Sequence, residues 1–372
     1  MSGLHFVCEG AILGKALRDV RNVVERANTI PIVGNVLIEA GEGVVRLTGT
    51  NFDIRATREI AAEITAAGSI TVPAHRFADM VTAMPSGSQV EVKLAGSQLQ
   101  LRGGRATFKL PTLDAEAFPP LPFGESVASI TMPAATVRGA IDTVRYAMAP
   151  DIARFWLNGI FVHTDDPAQL KVAASDGDRV LARCALPMPL GGEAVPPFII
   201  SAGLVDLLRR TLGDADTDVE IDFSPECVRF ASDGLTIIGK AIDGSFPDYQ
   251  RIIPAGNGTL IKIDRDALRD AVTRVLLAGD DKASGVRLEV EKDRLTISRG
   301  DAACEGREEV PCETALPDGP RQYGFNGRCL KDSIDALDVD ALEVALGDPA
   351  LPALITSTAR PDASLVLMPM RI

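Results

Sequence analysis

Histidine is scarce in this chain: its 372 residues hold three, His5, His75 and His163. None stands in an HxxxH or HExxH spacing, which excludes the familiar helical zinc sites. The sequence has no GxxxxGK[ST] and no GxGxxG, so nucleotide binding has no support in it. The six cysteines, Cys8, Cys184, Cys227, Cys304, Cys312 and Cys329, form no CxxC pair, and the pattern predicts reduced thiols in a cytoplasm. No apolar run approaches the ~18 residues that cross a bilayer, so no membrane partner is expected. The opening MSGLHFVCEG lacks the basic region and the long apolar core of a signal peptide. An excess of basic residues is missing too. Lys+Arg number 38 against 51 Asp+Glu, a net charge of −13. Taken alone, that balance argues against a nucleic-acid partner.

The acidic segments offer no clear chemistry. Asp280-Asp281 could meet a divalent ion, but adjacent carboxylates rarely converge on one ion without further ligands, and a solvated loop is the better reading. The run Ser175-Asp176-Gly177-Asp178-Arg179 reads as a Gly-centred turn between strands. Gly103-Gly104 reads as a hairpin turn. With no nucleophile–base set, no metal ligands and no cofactor motif, a binding or structural protein is expected. A hydrolase with an unrecognised site is the disfavoured alternative.

What the chain does have is a repeat. Segments 4–40, 129–164 and 259–291 share one plan, a short alternating strand, an amphipathic helix and another strand. A second unit of the same plan follows each, starting at SITVPAHRFADMVTAM (69–84), PFIISAGLVDLLRRTL (197–212) and QYGFNGRCLKDSIDAL (322–337). A Pro, Ser or Asn at the N-cap leads each of these into a helix. Strands joined by Gly turns come next, with alternation such as Val90, Val92, Leu94 marking half-buried strands. Proline signatures at 118–122 and 246–254 leave the sheet and set boundaries near 124 and 256. The expected architecture is α+β, in three similar domains spanning 1–124, 125–256 and 257–372, each with two helices inside and antiparallel sheets outside.

The six helical segments, 10–25, 74–84, 133–148, 201–212, 264–277 and 326–338, carry 13 basic against 11 acidic side chains. They are therefore at +2 while the remainder of the chain is at −15. An acidic outside and a neutral-to-basic helical face follow. Lys15, Arg18, Arg21, Arg138, Arg145, Arg209, Arg210, Arg269 and Arg274 are candidates for that face. On charge alone, a solvated helix surface with no partner is the simpler reading.

Ten stretches in order carry a family likeness: TIPIVGNVLIEA (29–40), LTGTNFDIRA (47–56), TVPAHRF (71–77), GRATFKLPTLDAEAFPPL (104–121), RFWLNGIFV (154–162), AASDGDRVLA (173–182), DGSFPDYQRIIP (243–254), GVRLEV (285–290), YGFN (323–326) and VLMPMRI (366–372). On these the chain resembles, over essentially its full length, the beta subunit of bacterial DNA polymerase III, the sliding clamp. The resemblance implies a non-enzymatic processivity factor. It implies a head-to-tail homodimer closing into a ring around double-stranded DNA, without base specificity. Weak contacts from a few Arg and Lys would allow sliding, so a strongly basic surface is not required. The DNA-facing set implied is Lys15, Arg21, Arg26, Arg138, Arg145, Arg154, Phe155, Trp156, Arg209 and Arg210.

The resemblance also implies a groove for short hydrophobic peptides of the polymerase catalytic subunit, the clamp loader, other polymerases and repair proteins. It maps to Leu157, to Ser175, Gly177, Asp178, Arg179 and Val180, to Pro247, Arg251 and Ile252, and to Val366, Met368, Pro369, Met370 and Arg371. Methionine suits such promiscuity because its flexible thioether repacks around different partners. The ring interface maps to Phe108 and Leu110 of one chain facing Leu276 and Leu277 of the other. Arg102 and Arg105 are expected near the acidic run 305–309, with Glu305 and Glu308. The chain departs from the family pattern at three places. Asp178 stands where many clamps have His, Cys329 where some place an aromatic residue, and Ser201-Ala202 lacks a basic residue that some carry for DNA. A monomeric repeat scaffold that binds proteins without encircling DNA is the competing class.

Overall fold

A computed structural model describes residues 3–26, 29–150, 152–166, 168–188, 194–212, 217–279, 285–300, 304–314 and 320–371. The Asp280-Asp281 pair lies outside them. Six α-helices occur among the described residues, one in each segment where the periodicity predicts it: α1 (Gly10–Arg21), α2 (Ala74–Thr82), α3 (Ala134–Val144), α4 (Ala202–Thr211), α5 (Arg265–Val275) and α6 (Gly327–Asp335). The apolar spacing explains α1, where Leu13, Ala16, Leu17 and Val20 form one buried stripe. Its neighbours Lys15 and Arg18 point to solvent. Caps explain where other helices begin. The Asn326 side chain accepts from the backbone N–H of Arg328 and Cys329 at the start of α6, and Asp264 accepts from Ala267 at the start of α5. Ser201 Oγ accepts from Leu204 N at 3.4 Å.

All strand pairs are antiparallel, in sheets of five, eight, nine and four strands. The eight-stranded sheet has a seam where Ile54–Ala61 pairs with Leu235–Lys240. The nine-stranded sheet has one where Val180–Pro187 pairs with Ala363–Leu367. Each seam joins strands far apart in sequence, so each long sheet is built from two repeats.

The chain accordingly forms two compact units, residues 1–135 with 206–241 and residues 136–205 with 242–372. Two of the cuts fall inside α3 and α4, and the third, at 241/242, comes just before the second proline signature, since each seam places strands of two repeats in one sheet. In the first unit α1 packs on α2, and in the second α5 packs on α6.

Candidate functional site

The groove residues lie in the second unit, and the turn between strands Gln169–Ser175 and Val180–Pro187 is its most constrained part. The buried Asp176 carboxylate accepts from the backbone N–H of Arg179 (2.7 Å), Asp178 (3.1 Å) and Val180 (3.1 Å), and from Arg179 Nε (2.7 Å). Burial pushes its pKa up, but these donors outweigh that and hold it below the usual carboxylate value. Ser175 Oγ donates to the Val180 carbonyl (2.8 Å) and accepts from Gly177 N (3.0 Å). Gly177 sits at φ +83, and a Cβ there would lie 2.8 Å from Arg154 Nη1 and 3.0 Å from Leu157 Cδ1. Glycine is therefore required twice over, by backbone sign and by space. Leu157 is buried, at 3% exposure.

The segment carrying Pro247, Arg251 and Ile252 is anchored by aromatic rings. Phe246 stacks on Phe161 with centroids 4.8 Å apart, and Phe161 stacks on His163, also at 4.8 Å. His163 Nε2 and Tyr249 Oη share a 2.9 Å hydrogen bond. Burial holds the His163 pKa below its ordinary value and pushes the Tyr249 phenol up to about 12, so both stay neutral. Asp165 accepts from Lys171 Nζ (2.7 Å) and from Gln250 Nε2 (2.8 Å), and the Lys171 hydrogen bond leads in bringing its pKa down to about 2. Tyr249, Ala173, Leu181 and Val366 form one buried cluster. With Tyr249 fixed inside, Pro247, Arg251 and Ile252 remain exposed beside it.

The segment 366–371 completes the constellation. Met368 N donates to the Arg179 carbonyl (2.8 Å), Met370 N donates to the Gly324 carbonyl (2.9 Å), and Pro369 bridges to Phe325. Met368 and Pro369 are half-buried and Met370 is 38% exposed. Val366 is 1% exposed and Val180 5%, so both support the groove from within rather than line it openly. A cleft of about 650 Å³ takes in Pro369, Met370 and Arg371 with Arg287, Gln322, Tyr323, Gly324, Asp348, Pro349 and Ala350. Sequence reasoning did not assign 348–350 to a site, because a loop of the form Asp-Pro-Ala carries no periodic signal. Cys329 is buried with its pKa raised by burial, and Ser333 one turn on donates to Tyr146 Oη at 3.0 Å.

Other expected residues fall into different roles. Arg154, expected on a DNA face, donates to Asp178 Oδ2 at 2.6 Å and is 38% exposed. The backbone at Arg154 is non-helical (φ −110, ψ 57), a break within the 3-10 segment Ile152–Leu157. Phe155 is 47% exposed, with Trp156 half-buried edge-on to it at 5.2 Å. Lys15, Arg26, Arg209 and Arg210 are exposed, and Arg145 is half-buried. Arg21 donates to Asp79 (3.0 Å), Arg138 lies 3.8 Å from Asp142, Arg269 is 3.0 Å from Asp270 and Arg274 is 2.6 Å from Glu308.

Among the interface residues, Leu277 is 82% exposed. Phe108 and Leu276 are half-buried. Leu110 is 1% exposed, packed in the chain's own core, and so presents no apolar face to a partner. Arg102 lies 3.7 Å from Glu91, Arg105 and Glu305 are exposed, and Glu308 is already held by Arg274, which lowers its pKa.

No group of three or more His, Cys, Asp or Glu side chains placed to hold a metal occurs among the described residues. Paired helices and antiparallel sheets seamed across repeats are the fold of a DNA clamp. Three family models match in order: the N-terminal domain of the DNA polymerase III beta subunit over residues 4–122, its central domain over 131–248 and its C-terminal domain over 250–371. The chain belongs to the DNA polymerase III beta subunit family, the bacterial sliding clamps, and is a non-catalytic processivity factor of DNA replication. It is 35% identical to the beta sliding clamp of Caulobacter vibrioides over 99% of this chain and 100% of that one. It is 30% identical to the Escherichia coli K12 beta sliding clamp, with the same coverage. A crystal structure of the Caulobacter crescentus clamp, with polyethylene glycol bound at a putative beta-motif tethering region, superposes with a TM-score of 0.95 at 33% identity, covering both chains completely. A Bartonella birtlesii clamp bound to griselimycin also covers both completely, with a TM-score of 0.95 at 31% identity.

Proposed function

We propose that the protein works in the cytoplasm as a head-to-tail homodimer closed around double-stranded DNA. In this reading it tethers the polymerase catalytic subunit, the clamp loader, other polymerases and repair proteins by short hydrophobic peptides held in the groove built from Leu157, the 175–180 turn, the 247–252 segment and Met368–Pro369–Met370. The three domains are 1–124, 125–256 and 257–372. The observation that carries the ring is a pair of complementary sheet edges. Strand Ala106–Pro111 ends the five-stranded sheet, and strand Glu305–Pro311 ends the four-stranded sheet. Each presents unpaired backbone groups, which attract another strand. The first has Lys109, Arg102 and Arg105 at hand and the second Glu305 and Glu309. Phe108 and the exposed Leu277 supply apolar contact. A heterologous pairing of this kind forms a closed ring when the rotation per chain fits.

DNA contact is assigned to Lys15, Arg21, Arg26, Arg138, Arg145, Arg154, Phe155, Trp156, Arg209 and Arg210, of which Arg21 lies 3.0 Å from Asp79, Arg138 3.8 Å from Asp142 and Arg154 2.6 Å from Asp178. On a chain of net charge −13 these cations hold DNA weakly, and retention is topological. The test compares nicked circular with linear DNA. Protein loaded on circles is expected to persist in high salt and to be released on linearisation. Equal retention on both forms, or a monomer by native mass, would favour a scaffold that never encircles DNA.

A further inference from the structure

Three arginines stand on the rim of the groove, and each is paired with an aspartate: Arg154 with Asp178 at 2.6 Å, Arg179 with Asp176 at 2.7 Å and Arg251 with Asp248 at 2.7 Å. The first pair is set apart by its position. Arg154 Nη1 lies over Gly177, on the same face as the Leu157 side chain, so its guanidinium borders the apolar floor. The backbone that carries Asp178 is fixed. The Asp178 N–H is held by the Asp176 carboxylate, and the turn is fixed on either side by the Asp176 and Ser175 hydrogen bonds. The Asp178 carboxylate is 63% exposed, so it is accessible to a ligand that comes to rest beside Arg154 and Leu157.

We propose that Asp178 is a specificity-determining residue that sets the charge preference of the groove, disfavouring peptides that place a carboxylate beside their apolar anchors. This rests on the reading of the groove as a peptide site. A peptide carboxylate approaching Leu157 finds the Arg154 guanidinium already bonded to one carboxylate and meets the negative charge of Asp178. A neutral amide or a cation meets no such repulsion and can donate to an Asp178 oxygen. Partial exposure keeps the effect modest, at about fivefold in affinity.

The experiment uses fluorescent hexapeptides sharing two apolar anchors, with Glu or Gln at each remaining position in turn. They are titrated against the full chain, Asp178→Asn and Arg154→Gln, with melting curves as a folding control. Asn keeps the shape and the backbone N–H of Asp178. At one position or more the unaltered protein should bind the Gln peptide about fivefold more tightly than the Glu peptide. Asp178→Asn should bring that ratio close to one, and Arg154→Gln should widen it by removing the cation that offsets Asp178. A ratio that Asp178→Asn shifts by less than about twofold at every position overturns the proposal. If the unaltered protein binds none of the peptides, the groove reading itself fails, which is a different result from binding without charge preference.

Discussion

At the scale of single residues, the groove depends on one backbone conformation. Gly177→Ala puts a Cβ at φ +83 between Arg154 and Leu157. We expect a loss of ~1–2 kcal/mol of stability and a fall of about tenfold or more in peptide affinity, read by calorimetry and fluorescence titration. Unchanged peptide affinity would show that the turn does not shape the groove. The same residues show what sequence can and cannot convey. A Gly in Ser-Asp-Gly-Asp-Arg between two apolar runs announces a turn, and the turn is there. The pairing of Arg154 with Asp178 is invisible, because the two stand 24 residues apart and no local pattern links them. Leu110 is a related case. The period of two places Phe108 and Leu110 on one face of their strand, as found, but it says nothing of depth, and Leu110 alone is fully covered.

At the scale of elements, the 368–371 segment is attached by two backbone hydrogen bonds and a bridge, beyond the strand Ala363–Leu367. Deleting residues 368–372 removes those attachments but spares the strand. A folded dimer with stability lowered by ~1–3 kcal/mol and peptide affinity reduced well over tenfold is the expected result, measured by melting, native mass and titration in parallel. Retention of full affinity would place the groove elsewhere. The 246–252 segment makes a pH prediction. Asp165 ties Lys171 to Gln250 only while ionised, and its pKa stands at about 2 against an ordinary 3.8. A depressed folded pKa stabilises above the unfolded value, and that stabilisation is lost as pH falls through the interval down to about 2. Melting temperature should therefore drop over this interval less steeply in Asp165→Asn than in the unaltered protein. Parallel curves would show that the contact is too exposed to matter. Helix positions were legible here because each apolar stripe repeats at helical spacing and caps such as Asn326 and Asp264 mark the starts. The 348–350 loop was not, since it contributes shape without pattern.

At the scale of the whole molecule, the sheet edges and Leu277 make dimerisation the property most open to a single change. Leu277 is 82% exposed in the protomer, so Leu277→Ala leaves the melting temperature of the monomer nearly unaltered. Its dimer dissociation constant should rise by about tenfold or more, measured by sedimentation across a dilution series. A dimer as tight as the original would remove Leu277 from the interface. The threefold plan was readable from repeat spacing alone. The seams that cut across it were not, because strand order in a sheet leaves no local trace in sequence.

Those seams set a schedule for synthesis. Val180–Pro187 meets its partner strand only after the ribosome has moved past Leu367 and the emerging chain has cleared the exit tunnel. Until then half of the nine-stranded sheet waits with an open edge, and contacts of such long sequence separation form slowly. The groove wall at Met368–Met370 is anchored to Arg179 just beyond the same seam. Under the proposed reading of the groove, a chain that has not closed the seam lacks this wall and has no completed site with which to compete for partners.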